Sequence, residues 1–160
     1  MTRSTRFRLA IWAGSFGAGL VLAFFILREP VDVLTRGALS AAQEKWEQSH
    51  VTDYDLRYRM HGSEYEIKVR DGVVVEARVN DRPPTSADWQ VYSMDGLFET
   101  LGQELDNLEN PTGPFAGRGG AVLLRVRFHP EFGYVERFLR SGTGPARSVA
   151  IEMLQFAKLR

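Results

Sequence analysis

Residues 54–79 read YDLRYRMHGSEYEIKVRDGVVVEARV, and this stretch decides the fold. Apolar and polar residues alternate on both sides of the dipeptide His61-Gly62, which is the pattern of β-strands with one buried face. His61-Gly62 and Asp71-Gly72 are two-residue turn signals between the alternating runs. The stretch therefore predicts three consecutive strands joined by two hairpins.

The charges of the first two strands predict how these strands pair. When the chain folds back about His61-Gly62, the tyrosines and aliphatic residues of both strands fall on one face. Opposite charges then meet on the other face, and such cross-strand pairs stabilise a sheet. A slip of one residue would disrupt both faces at once. The predicted pairs are Arg59 with Glu64, Arg57 with Glu66, and Asp55 with Lys68.

The second hairpin leaves two registers open. A two-residue loop at Asp71-Gly72 would mix apolar and charged residues on each face. We therefore expect a three-residue loop that closes on Gly72 in the left-handed conformation. A longer loop would give better pairing of opposite charges than the three-residue loop. The three-residue loop pairs Val69 with Val73, whereas the longer closure pairs Lys68 with Glu76 and Glu66 with Arg78.

The remainder of the domain predicts two helices and three more strands. Ser93 has the character of a helix N-cap before an apolar stripe at helical spacing, and Trp46 is expected to pack a first helix on the sheet. Residues 148–159 fit a strand or a helix, and we favour the strand. The order α-βββ-α-βββ predicts an α+β fold, an antiparallel sheet with helices covering one face. The predicted helices are residues 31–50 and 93–107, and the later strands are residues 122–128, 134–140 and 148–159.

Residues 9–27 contain no charged residue. As a helix this run is roughly 28 Å long, close to the hydrocarbon thickness of a bilayer, so we predict a transmembrane signal-anchor. Three arginines precede it, and the positive-inside rule then places the N-terminus in the cytoplasm and the domain in the periplasm, beyond the inner membrane. A cleavable signal peptide is the alternative, but no small residues mark a cleavage point. The predicted organisation is 1–30 tail and anchor, 31–50 stalk and first helix, and 51–160 antiparallel domain.

One face of the apolar segment carries small residues, which would let a second helix approach closely. The expected partners are therefore the lipid bilayer and other membrane or periplasmic proteins. The candidate helix-packing residues are Ala10, Gly14, Gly17 and Ala18.

Charge and cysteine content exclude several classes of function. Residues 1–30 hold four arginines against one glutamate, which leaves 16 basic and 19 acidic residues in the remainder of the chain. A net-acidic domain is a poor nucleic-acid binder, because phosphate contacts dominate that affinity. The chain has no cysteine, which excludes disulfides, a thiol nucleophile, an iron–sulfur cluster and cysteine-ligated zinc.

Several short motifs follow one another in the domain: Trp46, Tyr54-Asp55-Leu56, Val69-x-Asp71-Gly72-x-Val74, Leu97-Phe98, Phe132-Gly133-Tyr134 and a last strand ending near Phe156. Together they resemble a bacterial family known only as domain of unknown function 6174. The resemblance covers about residues 40–158 and implies export and a small α+β domain, with no activity and no catalytic residues. Family members usually look like secreted proteins or lipoproteins, often with a cysteine pair, so lipid anchoring does not carry over to this cysteine-free chain.

The sequence carries no recognisable catalytic motif. His50, His61 and His129 are 11 and 68 residues apart, whereas zinc-binding histidines commonly stand four apart on a helix. The sequence has neither a Gly-x-Ser-x-Gly elbow nor a Walker loop. We therefore predict a non-enzymatic protein without metal or cofactor.

The densest charge cluster is a candidate interaction surface. An arginine patch can hold an anionic group, and the alternative is a ladder of ion pairs on a solvated sheet face. We favour a protein-interaction role for an exported, membrane-anchored domain. The alternatives are an accessory subunit of a larger membrane complex and a small-ligand-binding or hydrolytic periplasmic domain. The candidate surface residues are Arg125, Arg127, Phe132, Arg137 and Arg140.

Overall fold

The computed structural model describes residues 31–110, 112–113, 122–142 and 148–159. These residues belong to one compact unit, Val31–Arg160. A short 3-10 helix, Gln90–Tyr92, precedes the second α-helix. The helices are α1 (Arg36–Gln48) and α2 (Met94–Glu109), and the strands are β1 (Asp32–Val33), β2 (Tyr54–Met60), β3 (Ser63–Arg70), β4 (Val73–Val79), β5 (Val122–Phe128), β6 (Val135–Gly142) and β7 (Val149–Lys158).

The strands form one antiparallel sheet of order β1-β5-β6-β7-β2-β3-β4. Two three-stranded meanders, β2-β3-β4 and β5-β6-β7, join through β7 and β2, which are far apart in sequence. Both helices lie on one face: Trp46 of α1 contacts Tyr54 of β2, and Phe98 of α2 contacts Phe128 of β5. The side chains of that face form the core, while the opposite face carries the charges.

The first hairpin has the predicted register, with Tyr58 facing Tyr65 and each of the three charge pairs in place. Two of the three ion pairs, those of Arg57 and Asp55, run diagonally, because strands twist relative to one another. Glu64 is 3.4 Å from Arg57 Nε and 3.8 Å from Arg59 Nη2. The carboxylate of Asp55 pairs with Arg70 at 2.8 Å rather than with Lys68.

The preferred register of the second hairpin was wrong. Asp71 (φ 50°) and Gly72 (φ 74°) form the two-residue turn that the Asp-Gly signal favours. Next to this turn Val69 faces Val74, and a bulge at Val75 then shifts the register by one residue. With the bulge, the hairpin has both the two-residue turn and the charge pairs of the longer closure. A regular hairpin without a bulge cannot have both. Beyond the bulge the pairs are Lys68 with Glu76 and Glu66 with Arg78.

The first helix begins later than predicted. Asp32 and Val33 form an edge strand paired with β5, because this β-branched segment is better suited to a strand than to a helical turn. Thr35 then caps α1, since its Oγ1 accepts a hydrogen bond from the backbone N–H of Ala38. The segment predicted to be partly a stalk contributes Trp46 to the core.

The second helix follows the predicted pattern. The Ser93 hydroxyl is fully buried and accepts from the backbone N–H of Gly96 as the N-cap. The indole N–H of Trp46 donates to Asp95 Oδ1 at 2.9 Å and ties α1 to the start of α2. Residues 148–159, predicted as a strand, contain β7. The buried stripe of α2 consists of Met94, Gly96, Leu97, Phe98, Leu101 and Leu105.

The predicted fold class requires correction. The described chain is mostly β, with seven strands and two helices, whereas the prediction was a transmembrane helix followed by an α+β domain with six strands. The additional strand is β1. The predicted signal-anchor, including Ala10, Gly14, Gly17 and Ala18, lies outside the described residues.

The transmembrane and signal-anchor predictions are corrected by a second finding. Within residues 31–110 and the later described segments, no helix is long and apolar enough to cross a membrane. The reason is that α1 and α2 are amphipathic helices of 13 and 16 residues, each with one face on the core and charged residues on the other.

Candidate interaction surface

The face of the sheet opposite α1 and α2 is called the open face below. Its side chains alternate with buried ones along each strand, which places them away from the core. The described helices pack only on the other face. The open face includes Arg125, Arg127, Arg137, Leu139, Ala150, Glu152, Gln155, Ala157, Asp55, Arg57, Arg59, Glu64, Glu66, Lys68, Glu76 and Arg78.

One row of charges crosses five neighbouring strands of the open face. Arg127 on β5 faces Arg137 on β6, which in turn faces Glu152 on β7. Glu152 also faces Arg59 on β2, which faces Glu64 on β3. The row is therefore a charge ladder whose β5–β6 end carries two adjacent positive charges.

The β3–β4 end of the open face is charge-compensated. Lys68 Nζ lies 2.8 Å from a carboxylate oxygen of Glu76, and the Arg78 Nε lies 2.9 Å from the other. The hydrogen bond from Lys68 lowers the pKa of the Glu76 carboxyl, and Arg78 contributes in the same direction. These exposed charges are satisfied by one another.

The β5–β6 end differs, because its arginines exceed its carboxylates. Arg127 Nε lies 2.7 Å from Glu136 Oε2. Within the described part of the chain, the exposed guanidiniums of Arg125 and Arg137 have no carboxylate partner within ion-pair distance. Two adjacent like charges on a sheet repel each other, so this region favours an incoming anion.

The structure places the five predicted surface residues in three separate locations. Arg125, Arg127 and Arg137 lie together on the open face. Phe132 lies in the β5–β6 turn, half-buried against the ring of His129, with Lys158 Nζ 5.6 Å from its ring centroid. It belongs to a separate aromatic cluster and not to the arginine patch.

Arg140 was wrongly placed on the interaction surface. It faces Leu124, a core residue, and its Nη1 lies 2.5 Å from Glu104 Oε1 of α2. Only 16% of the Arg140 side chain and 14% of the Glu104 side chain are exposed. The cause is a bulge at the start of β6, which shifts the alternation and turns Arg140 toward the helices.

The same bulge places Leu139 on the open face, where sequence patterning predicts a polar residue. Leu139 faces Arg125 on one side and Ala150 on the other. The fully buried Phe138 beside it points to the core. The only signal in the sequence is that Phe138 and Leu139 are adjacent apolar residues, one of which must face outward in a strand.

A cavity of about 230 Å³ opens on the same face at the tip of the β2–β3 hairpin. It brings Ser148, His61 and Glu152 together, the residue types of a hydrolytic triad. Among the described residues, no hydrogen bond joins any two of these three side chains, so they do not form a relay. The lining residues are Arg59, His61, Gly62, Ser148, Ala150 and Glu152.

The three histidines occupy separate positions. His50 follows α1, and His61 lies in the β2–β3 turn, as predicted. His129 stacks on Tyr134 with ring centroids 4.6 Å apart, and its Nδ1 accepts from the backbone N–H of Phe132. In the described segments, no three histidine or carboxylate side chains form a group that could hold a metal ion.

Comparison with known proteins identifies no relative: no family model, no curated protein and no solved structure matches the chain. The resemblance to domain of unknown function 6174 therefore stays a prediction.

Proposed function

We propose that the chain is a non-enzymatic protein-interaction domain whose binding surface is the open face over β5, β6 and β7. The observation that carries the proposal is the pair of exposed arginines, Arg125 and Arg137, which lack ion-pair partners among the described residues. Arginine is enriched at protein interfaces, because its planar guanidinium combines charge, hydrogen bonding and stacking.

The proposed partner is an acidic segment of another protein. On the open face these strands carry Arg125, Arg127 and Arg137, and the glutamates of the three strands are Glu136 and Glu152. Residues 31–160 as a whole hold more acidic than basic residues. Leu139 of β6 lies between Arg125 of β5 and Ala150 of β7 and supplies apolar contact area. A segment that alternates carboxylates with aliphatic residues complements both features.

The test is a binding titration of the full-length chain with two fluorescein-labelled peptides. One alternates glutamate with leucine, and the other alternates lysine with leucine. We expect the acidic peptide to bind and the basic one not to bind. The variant Arg125→Glu/Arg137→Glu should weaken the acidic peptide at least tenfold, because each reversal replaces attraction by repulsion. Added salt should weaken binding to the unmodified chain.

The matched control is Arg78→Glu/Arg82→Glu, which changes the same number of charges at exposed positions at or next to β4. The control should retain the affinity of the unmodified chain to within about twofold, since screening limits the reach of distant charges. Equal losses of peptide affinity in both double variants would show that the net charge of the chain, and not the position of the arginines, determines binding. Unchanged binding in Arg125→Glu/Arg137→Glu would reject the surface.

A further inference from the structure

We propose that the cavity at the tip of the β2–β3 hairpin is a carboxylate-binding pocket, which anchors one carboxylate of the partner. This inference rests on the proposed function and adds the chemical group that is recognised. Three small residues line the cavity and leave it space: Gly62 in the turn, Ser148 directly before β7 and Ala150 in β7. A larger side chain at Ala150 would fill the space.

The walls of the cavity supply hydrogen-bond donors. Arg59 contributes a guanidinium whose side chain is 52% exposed, His61 an imidazole and Ser148 a hydroxyl. A guanidinium binds a carboxylate through two parallel hydrogen bonds, and a neighbouring hydroxyl can donate a third. Glu152 is the one acceptor-only side chain in the lining.

Within the described chain, no carboxylate lies within hydrogen-bond distance of the Arg59 guanidinium on the cavity wall. Glu64 is shared by two guanidiniums, at 3.4 Å from Arg57 and 3.8 Å from Arg59, and the second distance is too long for a hydrogen bond. Glu152 faces Arg59 and Arg137 in the sheet but is within ion-pair distance of neither in the described chain. Arg57, Arg59 and Arg137 face Glu64, Glu66 and Glu152, so the set is neutral, and the Arg59 guanidinium keeps hydrogen-bond donors for an incoming carboxylate.

The cavity is continuous with the arginine patch, because Glu152 is the neighbour of Arg59 on one side and of Arg137 on the other. Arg59 and Arg137 are two strand spacings apart, or roughly 10 Å. An extended peptide covers that distance in about three residues. The geometry therefore fits a ligand with its anchoring carboxylate in the cavity and a second carboxylate about three residues away.

The anchoring group is either the carboxylate of a chain end or that of an aspartate or glutamate side chain. Three leucine-rich peptides distinguish these sources in titrations of the full-length chain. The first has a free C-terminus and a glutamate three residues before it. The second has the same sequence with a C-terminal amide. The third is amidated and carries two glutamates three residues apart.

Two variants test the pocket itself. Ala150→Leu fills the cavity and keeps every charge, and Arg59→Gln removes the central donor. Each should weaken the best-binding peptide at least tenfold. Ala157→Leu is the matched control, because Ala157 lies on the open face of the same strand, facing Asp55 and away from the cavity. It should leave the affinity unchanged to within about twofold.

Each outcome decides one question. If the amidated second peptide does not bind while the first peptide does, the pocket binds the carboxylate of a chain end. If the amidated third peptide binds as tightly as the first, the pocket binds a side-chain carboxylate. If Arg125→Glu/Arg137→Glu abolishes binding while Ala150→Leu and Arg59→Gln do not, the pocket is rejected and the proposed surface stands. If Arg125→Glu/Arg137→Glu has no effect, the proposed function itself fails. An amidated peptide with glutamine at every acidic position that binds equally well also overturns the pocket.

Discussion

Replacing Gly133 by alanine is expected to lower the free energy of unfolding by about 3 kcal/mol, from a strained backbone and a steric clash together. Gly133 lies in the β5–β6 turn with φ 75°, a conformation that disfavours any residue with a side chain. A Cβ atom at this position would also overlap the backbone carbonyl oxygen of Ala42 in α1. The turn cannot move away without separating α1 from the sheet.

Gly62→Ala is the matched control for that loss. Gly62 has nearly the same backbone conformation, with φ 79°, but no atom lies within 4 Å of the position its Cβ would take. This variant should lose only the conformational cost, about 1 kcal/mol. Urea denaturation of both variants measures the difference. Equal losses would show that the β5–β6 turn does not pack against α1 as described.

Replacing Arg140 by methionine is expected to destabilise the domain by about 3 kcal/mol at neutral pH. The variant retains most of the apolar length of the side chain but removes the charge that balances Glu104. Glu104 lies on the side of α2 that faces β6, and only 14% of its side chain is exposed. Without Arg140, its carboxylate would be desolvated and would lack its ion-pair partner. Chemical denaturation measures the loss.

Two further variants complete that experiment. Arg140→Met combined with Glu104→Leu should recover most of the stability, because no unpaired charge then remains. Arg36→Met removes an exposed guanidinium that pairs with Asp106 and Glu109 at the end of α2, and its effect should be far smaller. A loss in Arg140→Met no larger than that in Arg36→Met would contradict the buried position of Arg140.

The parts of the fold that sequence predicted correctly are those where two independent signals agree. The first hairpin combined period-two alternation with complementary charges, and its register is the predicted one. The second helix combined the N-cap Ser93 with a regular apolar stripe. In each case the local pattern and the tertiary environment favour the same structure, so neither overrides the other.

Two of the failures, the register of the second hairpin and the position of Arg140, share one physical cause, which is the β-bulge. A bulge adds one residue to one strand, so the faces change without any change in composition. It made the two-residue turn at Asp71-Gly72 compatible with charge pairing in β4. In β6 it sent Arg140 to the covered face and Leu139 to the open face. Nothing in the alternation of a single strand reports such a shift, because it is set by the neighbouring strand.

The candidate site was predictable only in part for the same reason. Arg125 and Arg127 stand two apart in a regular strand and were correctly placed together. The cavity joins residues of β2, its turn and β7, and β7 becomes the neighbour of β2 only through the pairing of the two meanders. Sequence spacing carries no information about that contact.

The central claim is that an acidic segment binds the open face rather than the helices. Nuclear magnetic resonance cross-saturation from the protonated acidic peptide to a deuterated, methyl-labelled full-length chain tests it directly. We predict attenuation of the methyl signals of Leu139 and Ala150, which lie on the open face. The methyls of Ala41 and Leu108, exposed on α1 and α2, should be unaffected. Attenuation of Ala41 and Leu108 with Leu139 and Ala150 unchanged would contradict the account.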